Sequence, residues 1–215
     1  MEFISAELDQ YVCKHTENEP KLLNQLNRKT HVEVLKPRML SGHFQGRALS
    51  LFSHMIKPKR ILEIGTYTGY SALCLAEGLL PEGKLYTIDV NEELEDFAND
   101  FFDKSPYKNQ IIQLIGDAKE IIPTIEEEFD IVFIDADKKS YSDYYDMIFH
   151  KIKVGGYIMA DNVLWSGKVI EDYERTDRDT QKLIEFNTKV QNDERVENVL
   201  FPIRDGIMIA RKVSD

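Results

Sequence analysis

The stretch Arg60-Ile-Leu-Glu-Ile-Gly-Thr-Tyr-Thr-Gly-Tyr-Ser71 decides the predicted fold. Its first part, up to Gly65, is a short and largely apolar run that is typical of a buried strand, and the residues from Tyr70 onward are typical of a helix. Two glycines, spaced Gly65-x-x-x-Gly69, lie between the two elements, so the backbone can come close to a ligand where the helix begins. The stretch therefore predicts a strand, a glycine-rich loop and a helix that together bind a ligand.

Strand-like and helix-like segments alternate through the rest of the chain. Four more apolar runs are typical of strands, at residues 84–89, 110–115, 130–135 and 157–160. Two final runs, at 199–203 and 207–211, flank Arg204-Asp-Gly206, which is typical of a hairpin turn. Alternating strands and helices predict a parallel sheet with helices on both faces. The predicted fold class is α/β: a Rossmann-like, doubly wound, mostly parallel seven-stranded sheet with an antiparallel closing hairpin.

The amino-terminal part of the chain has a different pattern. In residues 1–56 the apolar side chains recur at helical spacing, and Pro20 suits the start of a helix. At this length one α/β domain is expected rather than two. We therefore predict a single domain, residues 1–215, in which 1–56 form a helical amino-terminal cap and 57–215 form the ligand-binding core.

The composition limits the function. The chain has 27 Lys and Arg against 38 Asp and Glu, a formal net charge of −11, which disfavours nucleic acid because phosphate contacts need clustered cations. No apolar run approaches the roughly 18 residues of a membrane span, and the acidic start lacks the pattern of a secretory signal. We expect Cys13 and Cys74 to be reduced. These features predict a cytoplasmic protein that binds neither nucleic acid nor a membrane.

Polar residues stand at the carboxyl ends of the predicted strands. Asp89 ends the second strand, Asp117 follows the third, Asp135 ends the fourth and Asp161-Asn162 the fifth. Open parallel sheets bind ligands at this edge. A lone Asp at such a position more often caps a helix or forms a turn, but so many polar ends at one edge are hard to explain by capping.

Two of the acids indicate the ligand of the glycine-rich loop. Glu63 stands two residues before the first glycine, where a carboxylate would repel a pyrophosphate, and the loop lacks the Gly-x-Gly-x-x-Gly spacing of dinucleotide sites. Asp89 can accept hydrogen bonds from both hydroxyls of a ribose. S-adenosylmethionine fits both acids, with its ribose at Asp89 and its amino-acid and sulfonium end near Glu63 and the loop. An NAD-dependent oxidoreductase is the disfavoured alternative.

A second set of residues predicts a metal ion and a base. Asp135, Asp161 and Asn162 offer hard oxygen donors without Cys or His, which favours Mg²⁺, or another divalent cation such as Mn²⁺ or Ca²⁺, over zinc. The open coordination positions would accept vicinal hydroxyls of a phenolic substrate. Lys138 can turn back into the same pocket and take the phenolic proton, provided that burial and the metal lower its pKa. Trp165 could form an aromatic wall beside the substrate or simply pack in the core.

Three segments resemble the cation-dependent class I O-methyltransferases, the family of caffeoyl-CoA and catechol O-methyltransferases: Leu62–Ala72, Phe133–Lys138 and Asp161–Trp165. They occur in the family's order and spacing, and the resemblance covers nearly the whole chain. It implies an S-adenosylmethionine-dependent and metal-dependent enzyme that methylates a vicinal hydroxyl of a catechol-like or caffeoyl-like small molecule. The resemblance also implies a homodimer. The cofactor-binding residues predicted in this way, together with the strand-end acids, are Ser41, Glu63, Gly65, Thr66, Ser71, Asp89, Asp117, Ala118 and Asp135.

The sequence departs from the family pattern at the edge of the site. Phe44 stands where many relatives have an acid, and Arg204 where a small residue is frequent. The polar segment 166–180 is expected to form a loop over the site. A non-catalytic S-adenosylmethionine-binding protein is a further alternative; it would tolerate loss of Lys138 or of the Asp161-Asn162 pair, and all three residues are present.

Overall fold

The computed structural model describes residues 5–215, so the first four residues of the predicted helical cap lie outside the described part. The cap contains helices α1 (Ala6–Lys14), α2 (Lys21–Glu33) and α3 (Gly42–Ile56), with a 3₁₀ turn at Pro37–Met39 before α3. The hydroxyl of Ser5 accepts a hydrogen bond from the backbone N–H of Leu8 and so caps α1. The helical amino-terminal segment is confirmed over the described residues.

The strands of residues 5–215 form one sheet of seven members: β1 (Arg60–Ile64), β2 (Lys84–Asp89), β3 (Ile111–Ile115), β4 (Phe129–Ile134), β5 (Ile152–Asp161), β6 (Val196–Phe201) and β7 (Ile207–Lys212). Their order in the sheet is β3-β2-β1-β4-β5-β7-β6. The pairs among β1 to β5 are parallel, whereas β7 runs antiparallel to both β5 and β6. The predicted fold class, with its antiparallel closing hairpin, is therefore confirmed.

Helices cover both faces of the sheet. Those of the core are α4 (Tyr70–Ala76), α5 (Glu95–Lys104), α6 (Ala118–Ile121), α7 (Tyr141–Phe149) and α8 (Arg178–Gln191). Because side chains alternate along a strand, Ile61 of β1 packs in the cluster that includes α2, α3, α4 and α5, whereas Leu62 packs in the cluster that includes α7 and α8. The central strands are thus buried on both faces.

The sequence also indicates a break at Gly155-Gly156 before the fifth strand, and this local prediction is wrong. Gly155-Gly156 does not break the chain before the fifth strand, since β5 runs through both glycines. The register against β4 shifts between Phe129 and Ile131, and a Cβ on Gly156 would lie 3.1 Å from the Phe129 carbonyl oxygen, so Gly156 allows a close approach between the strands. The predicted loop at 166–180 contains 3₁₀ turns at Trp165–Ile170 and Tyr173–Arg175, and its last residues belong to α8.

The sheet order places the ends of β1 and β4 side by side, although Gly65, after β1, and Asp135, after β4, are far apart in the chain. A Cβ on Gly65 would lie only 1.9 Å from the carbonyl oxygen of Asp135, so only glycine fits at the end of β1. The order of the strands reverses between β1 and β4, which is where open α/β sheets hold their ligands. Among the helices of residues 5–215, none is long and apolar enough to cross a membrane.

Candidate active site

A cavity of about 1980 Å³ opens at the carboxyl ends of the parallel strands. Most of the residues predicted to form the site line this cavity: Gly65, Asp89, Asp117, Ala118, Asp135, Lys138, Asp161, Asn162 and Trp165. Four predicted cofactor residues do not line it: Ser41, Glu63, Thr66 and Ser71. The structure therefore brings the predicted metal, base and ribose-binding residues to one cavity, and the other four are buried outside its lining.

The glycine-rich loop has the backbone geometry that the sequence predicts. Gly65 and Gly69 have φ values of +106° and +86°, a region that favours glycine, and α4 begins directly after Gly69. The N–H of Gly65 donates to the carbonyl of Ile88 at 2.8 Å, so the loop is anchored to β2. This anchoring holds the loop beside Asp89, the last residue of β2.

Asp89 is fixed by backbone donors on both sides. Its Oδ2 accepts from the N–H of Tyr67 at 2.7 Å, and its Oδ1 accepts from the N–H of Asn91 at 2.9 Å. Each carboxylate oxygen can accept a second hydrogen bond, so the group can still bind two neighbouring hydroxyls. Asp117, in contrast, accepts from the N–H of Lys119 at 2.8 Å and caps α6, which is a structural role.

Glu63 is a buried acid next to the loop. Its Oε2 accepts from the hydroxyl of Thr87 at 2.5 Å, and the hydroxyls of Thr87 and Thr66 are 2.6 Å apart. Its Oε1 is buried without a hydrogen-bond partner among the described residues. Burial raises the pKa of Glu63 to about 8. At neutral pH Glu63 is therefore mostly protonated, and it supports the loop through Thr87 and Thr66 without lining the cavity.

Asp161 is the most deeply buried of the predicted metal ligands, with 2% of its surface exposed. Its Oδ1 accepts from the N–H of Asn162 at 2.7 Å, and its Oδ2 accepts from Nε2 of Gln45 at 2.6 Å. Burial, and next the charge of Asp135, raises the pKa of Asp161 to about 7. Asn162 has a φ of +59°, a left-handed conformation that Asn tolerates better than most residues.

Lys138 lies between these groups. Its Nζ donates to Oδ1 of Asp135 at 3.0 Å and to the hydroxyl of Tyr141 at 2.6 Å, and it lies 5.9 Å from the ring centre of Trp165. Burial alone would lower the pKa of Lys138, as expected from the sequence, but Tyr141, Asp135 and Asp161 outweigh burial and raise it above its ordinary value. In the protein by itself the ammonium form is therefore favoured.

The donor set fits a hard divalent cation. Asp135, Asp161 and Asn162 all line the cavity and provide two carboxylates and one amide, the oxygen ligands that Mg²⁺ prefers. Within residues 5–215 no three His, Cys, Asp or Glu side chains are grouped so that they could hold a metal ion. The predicted site has only two carboxylates, and its third oxygen comes from the amide of Asn162. The rise in the pKa of Asp161 also fits a cation there, because a buried carboxylate beside a second one lacks compensating positive charge.

Three polar residues at the site were not predicted as site residues. Gln45 contacts Asp161, and Tyr141 contacts Lys138. Arg204, noted above only as a departure from the family, donates a hydrogen bond to the carbonyl of Leu40, just before α3. One signal was available for Gln45: it lies four residues before Leu49, on the buried face of α3. A polar residue on an inward face must have a partner, but the sequence does not say which. Trp165 both lines the cavity and packs against the core, so the two alternatives for it are compatible.

Comparison with known proteins agrees with this arrangement. The model of the O-methyltransferase family matches residues 13–213. The caffeoyl-CoA O-methyltransferase of Petroselinum crispum is 31% identical over 225 residues, which cover 98% of this chain and 92% of the relative. The SAH-bound methyltransferase PaMTH1 of Podospora anserina has a TM-score of 0.88 at 28% identity, over 97% of this chain and 94% of that one. The O-methyltransferase of Bacillus cereus in complex with SAH gives the same TM-score and identity, over 96% and 97%.

These matches extend over almost the entire chain rather than over the glycine-rich loop alone. They make the alternative of an NAD-dependent oxidoreductase wrong, because the matching family transfers methyl groups. The chain belongs to the O-methyltransferase family and is, as its motifs predicted, a class I S-adenosylmethionine-dependent O-methyltransferase of the caffeoyl-CoA O-methyltransferase type.

Proposed function

We propose that this protein is a divalent-metal-dependent O-methyltransferase that methylates one of two vicinal hydroxyls on a catechol-like or caffeoyl-like small molecule. The observation that carries the proposal is the convergence of Lys138, Asp135, Asp161 and Asn162 on the cavity that Gly65 and Asp89 also line. A base, a set of oxygen ligands and a ribose-binding acid thus share one space. The relative named caffeoyl-CoA O-methyltransferase supports the substrate class.

The methyl donor binds on the β1–β2 side of the cavity. Asp89 accepts the ribose hydroxyls, and its two bonds to backbone N–H groups hold its carboxylate in place for this. Glu63, behind the loop, keeps one buried oxygen without a partner among residues 5–215, an acceptor for the ammonium group of the donor. S-adenosylmethionine, when bound, supplies an electrophilic methyl group on a positively charged sulfur.

The acceptor hydroxyl binds on the β4–β5 side of the cavity. Asp135, Asp161 and Asn162 would hold the divalent cation, with Mg²⁺ the first candidate and Mn²⁺ or Ca²⁺ as others. A divalent cation, when bound there, supplies positive charge that lowers the pKa of a neighbouring phenolic hydroxyl and of Lys138. Lys138 would first lose its own proton to solvent and then, as the neutral amine, take the phenolic proton at Nζ. The phenolate oxygen bonds to the methyl carbon as the carbon–sulfur bond breaks and S-adenosylhomocysteine leaves, and Trp165 orients the aromatic ring.

Chelation tests this proposal directly. The purified protein is incubated with S-adenosylmethionine and caffeic acid or catechol, after treatment with EDTA and after addition of Mg²⁺, and methylated product is measured by chromatography. We expect loss of turnover with EDTA and recovery with excess Mg²⁺, while EDTA preloaded with Mg²⁺ has no effect. Turnover that is indifferent to the chelator would remove the metal from the mechanism, and absence of product from either phenol in the presence of Mg²⁺ would remove the substrate class.

A matched pair of variants separates the metal site from a general loss of acidic charge. Asp161→Asn should abolish turnover at every Mg²⁺ concentration tested. Asp103→Asn changes an exposed acid of α5 and should leave turnover unchanged.

The homodimer and the cytoplasmic location stay predictions. Light scattering on the eluate of a size-exclusion column measures the oligomeric state, and localisation of a tagged chain measures the location.

A further inference from the structure

We propose that Gln45 is a positioning residue for the metal site: it holds the carboxylate of Asp161 in the orientation that a divalent cation requires, and Arg204 fixes the amide of Gln45. The inference rests on the proposed metal-dependent function and extends it to two residues outside the ligand set. It starts from a polar contact between α3 and the end of β5, two elements far apart in the chain.

The contact between Gln45 and Asp161 is deeply buried. Gln45 is 0% exposed and Asp161 is 2% exposed, and Nε2 of Gln45 donates to Oδ2 of Asp161 at 2.6 Å. The second carboxylate oxygen accepts from the N–H of Asn162 at 2.7 Å. With one hydrogen bond on each oxygen the carboxylate cannot rotate without losing a bond, yet each oxygen keeps a lone pair for another partner.

Arg204 determines which end of the Gln45 amide faces Asp161. Its Nη1 lies 3.4 Å from Oε1 of Gln45 and also donates to the carbonyls of Leu40, at 2.9 Å, and Ser41. A flipped amide would set Oε1 against the carboxylate and Nε2 against the guanidinium, and both contacts would be repulsive. The guanidinium therefore selects the orientation in which Gln45 donates to Asp161.

The backbone around Arg204 ties the same turn to the loop after β5. Arg204 has a φ of +50° and precedes Asp205, whose Oδ1 accepts from the N–H of Ser166 and whose carbonyl accepts from the N–H of Leu164 at 2.8 Å. The turn between β6 and β7 is thus bonded on one side to the start of α3 and on the other to the segment that follows Asn162. The first route reaches Asp161 through Gln45, and the second fixes the backbone directly after Asn162.

Metal affinity distinguishes positioning from simple packing. Partners that hydrogen-bond to metal ligands typically contribute about 10- to 100-fold to metal affinity. We expect Gln45→Leu, which keeps similar bulk, to weaken Mn²⁺ binding by that factor, measured by the electron paramagnetic resonance signal of free Mn²⁺ in the absence of substrate. Affinity for S-adenosylhomocysteine, measured by calorimetry without metal, should change less than about twofold, because the cofactor side of the cavity is untouched.

The matched control is Gln113→Leu, a Gln of β3, which lies four strands away from β5 in the sheet order. It should bind Mn²⁺ like the wild-type protein. The second test variant is Arg204→Met, which keeps Gln45 but frees its amide to rotate, and we expect it to weaken Mn²⁺ binding by a smaller factor. If Gln45→Leu fails to bind S-adenosylhomocysteine and is therefore misfolded, Mn²⁺ binding by Arg204→Met tests the positioning role instead.

The outcomes separate this inference from the proposed function. If wild-type protein does not bind Mn²⁺, the metal-dependent function is wrong. If wild-type protein binds Mn²⁺ and the folded Gln45→Leu protein binds it within about twofold of wild type, Gln45 only packs and the positioning role is overturned. Weaker Mn²⁺ binding with unchanged S-adenosylhomocysteine affinity supports it.

Discussion

The ammonium nitrogen of Lys138 lies 2.6 Å from the hydroxyl oxygen of Tyr141. That hydroxyl is also 3.0 Å from the main-chain carbonyl oxygen of Asp161, to which it donates. Tyr141 is fully buried at the start of α7 and therefore connects the proposed base to the end of β5. Lys138 is held in position by the fold before any ligand binds, which is the arrangement expected of a group that must meet a substrate oxygen in one orientation.

The first prediction concerns Lys138. Lys138→Met keeps most of the apolar stem but removes the amine, and we expect kcat to fall by about 10²- to 10⁴-fold, the usual contribution of a general base. Affinity for S-adenosylhomocysteine should be unchanged. The control is Lys182→Met, whose side chain is 38% exposed and pairs with Glu185 on α8, away from the cavity. Full turnover on catechol by Lys138→Met would exclude Lys138 as the base.

The second prediction concerns Asp89. Asp89→Ala removes the acceptor for the ribose hydroxyls, and hydrogen bonds to charged groups are worth about 1.5–3 kcal/mol. We expect the dissociation constant for S-adenosylmethionine, measured by calorimetry, to rise by about 10- to 100-fold. At saturating S-adenosylmethionine kcat should stay close to that of the wild-type enzyme. Asp103→Ala, at an exposed acid of α5, is the control; unchanged affinity in Asp89→Ala would refute the ribose contact.

The third prediction concerns pH and stability. The pKa of Glu63 rises from 4.5 to about 8 because the group is buried, so between these pH values the folded protein holds a proton that the unfolded chain releases. The contribution of protonated Glu63 to the stability of the fold is fully present below pH 4.5. It is lost as the pH rises through about 8, where the buried group ionises. We expect the free energy of unfolding of the ligand-free protein to fall by on the order of 5 kcal/mol across this window from Glu63 alone.

Urea unfolding between pH 5 and pH 9 measures this contribution. Glu63→Gln cannot ionise, so its stability should fall less over the same range than that of the wild-type protein. Glu120→Gln, at an exposed acid of α6, should behave like the wild type. Parallel pH profiles of Glu63→Gln and wild type would show that Glu63 does not carry the pH dependence.

The fourth prediction compares two glycines with left-handed backbones. Gly155 has a φ of +90° and no atom within 4 Å of an added Cβ, so Gly155→Ala should cost only the conformational strain of roughly 1–2 kcal/mol. At Gly65 an added Cβ would lie 1.9 Å from the Asp135 carbonyl oxygen, so β1 and β4 must move apart. We expect Gly65→Ala to destabilise by more than about 4 kcal/mol and to weaken S-adenosylhomocysteine binding. Equal unfolding midpoints for the two variants would contradict the close approach.

Much of the fold and of the candidate site could be predicted because the signals are local. The apolar run before Gly65 and the spacing of Gly65 and Gly69 predict a strand, a loop and a helix from a dozen consecutive residues. The acids of the site follow in the same way, since parallel strands bring their carboxyl ends to one edge whatever the loops between them do. Asp89, Asp135 and Asp161 therefore line one cavity, as the sequence predicted for the ends of their strands.

By itself, then, the sequence determined the α/β class, the strand ends that carry the site and the likeness to O-methyltransferases. The tertiary structure alone decided what surrounds those ends: Gln45 and Asp161 are 116 residues apart, and no periodicity relates them. It also decided the direction of the pKa shift of Lys138, because burial and the charges of Asp135, Tyr141 and Asp161 act in opposite directions. Such a balance depends on distances between separate elements, and these exist only after the sheet and its helices have packed.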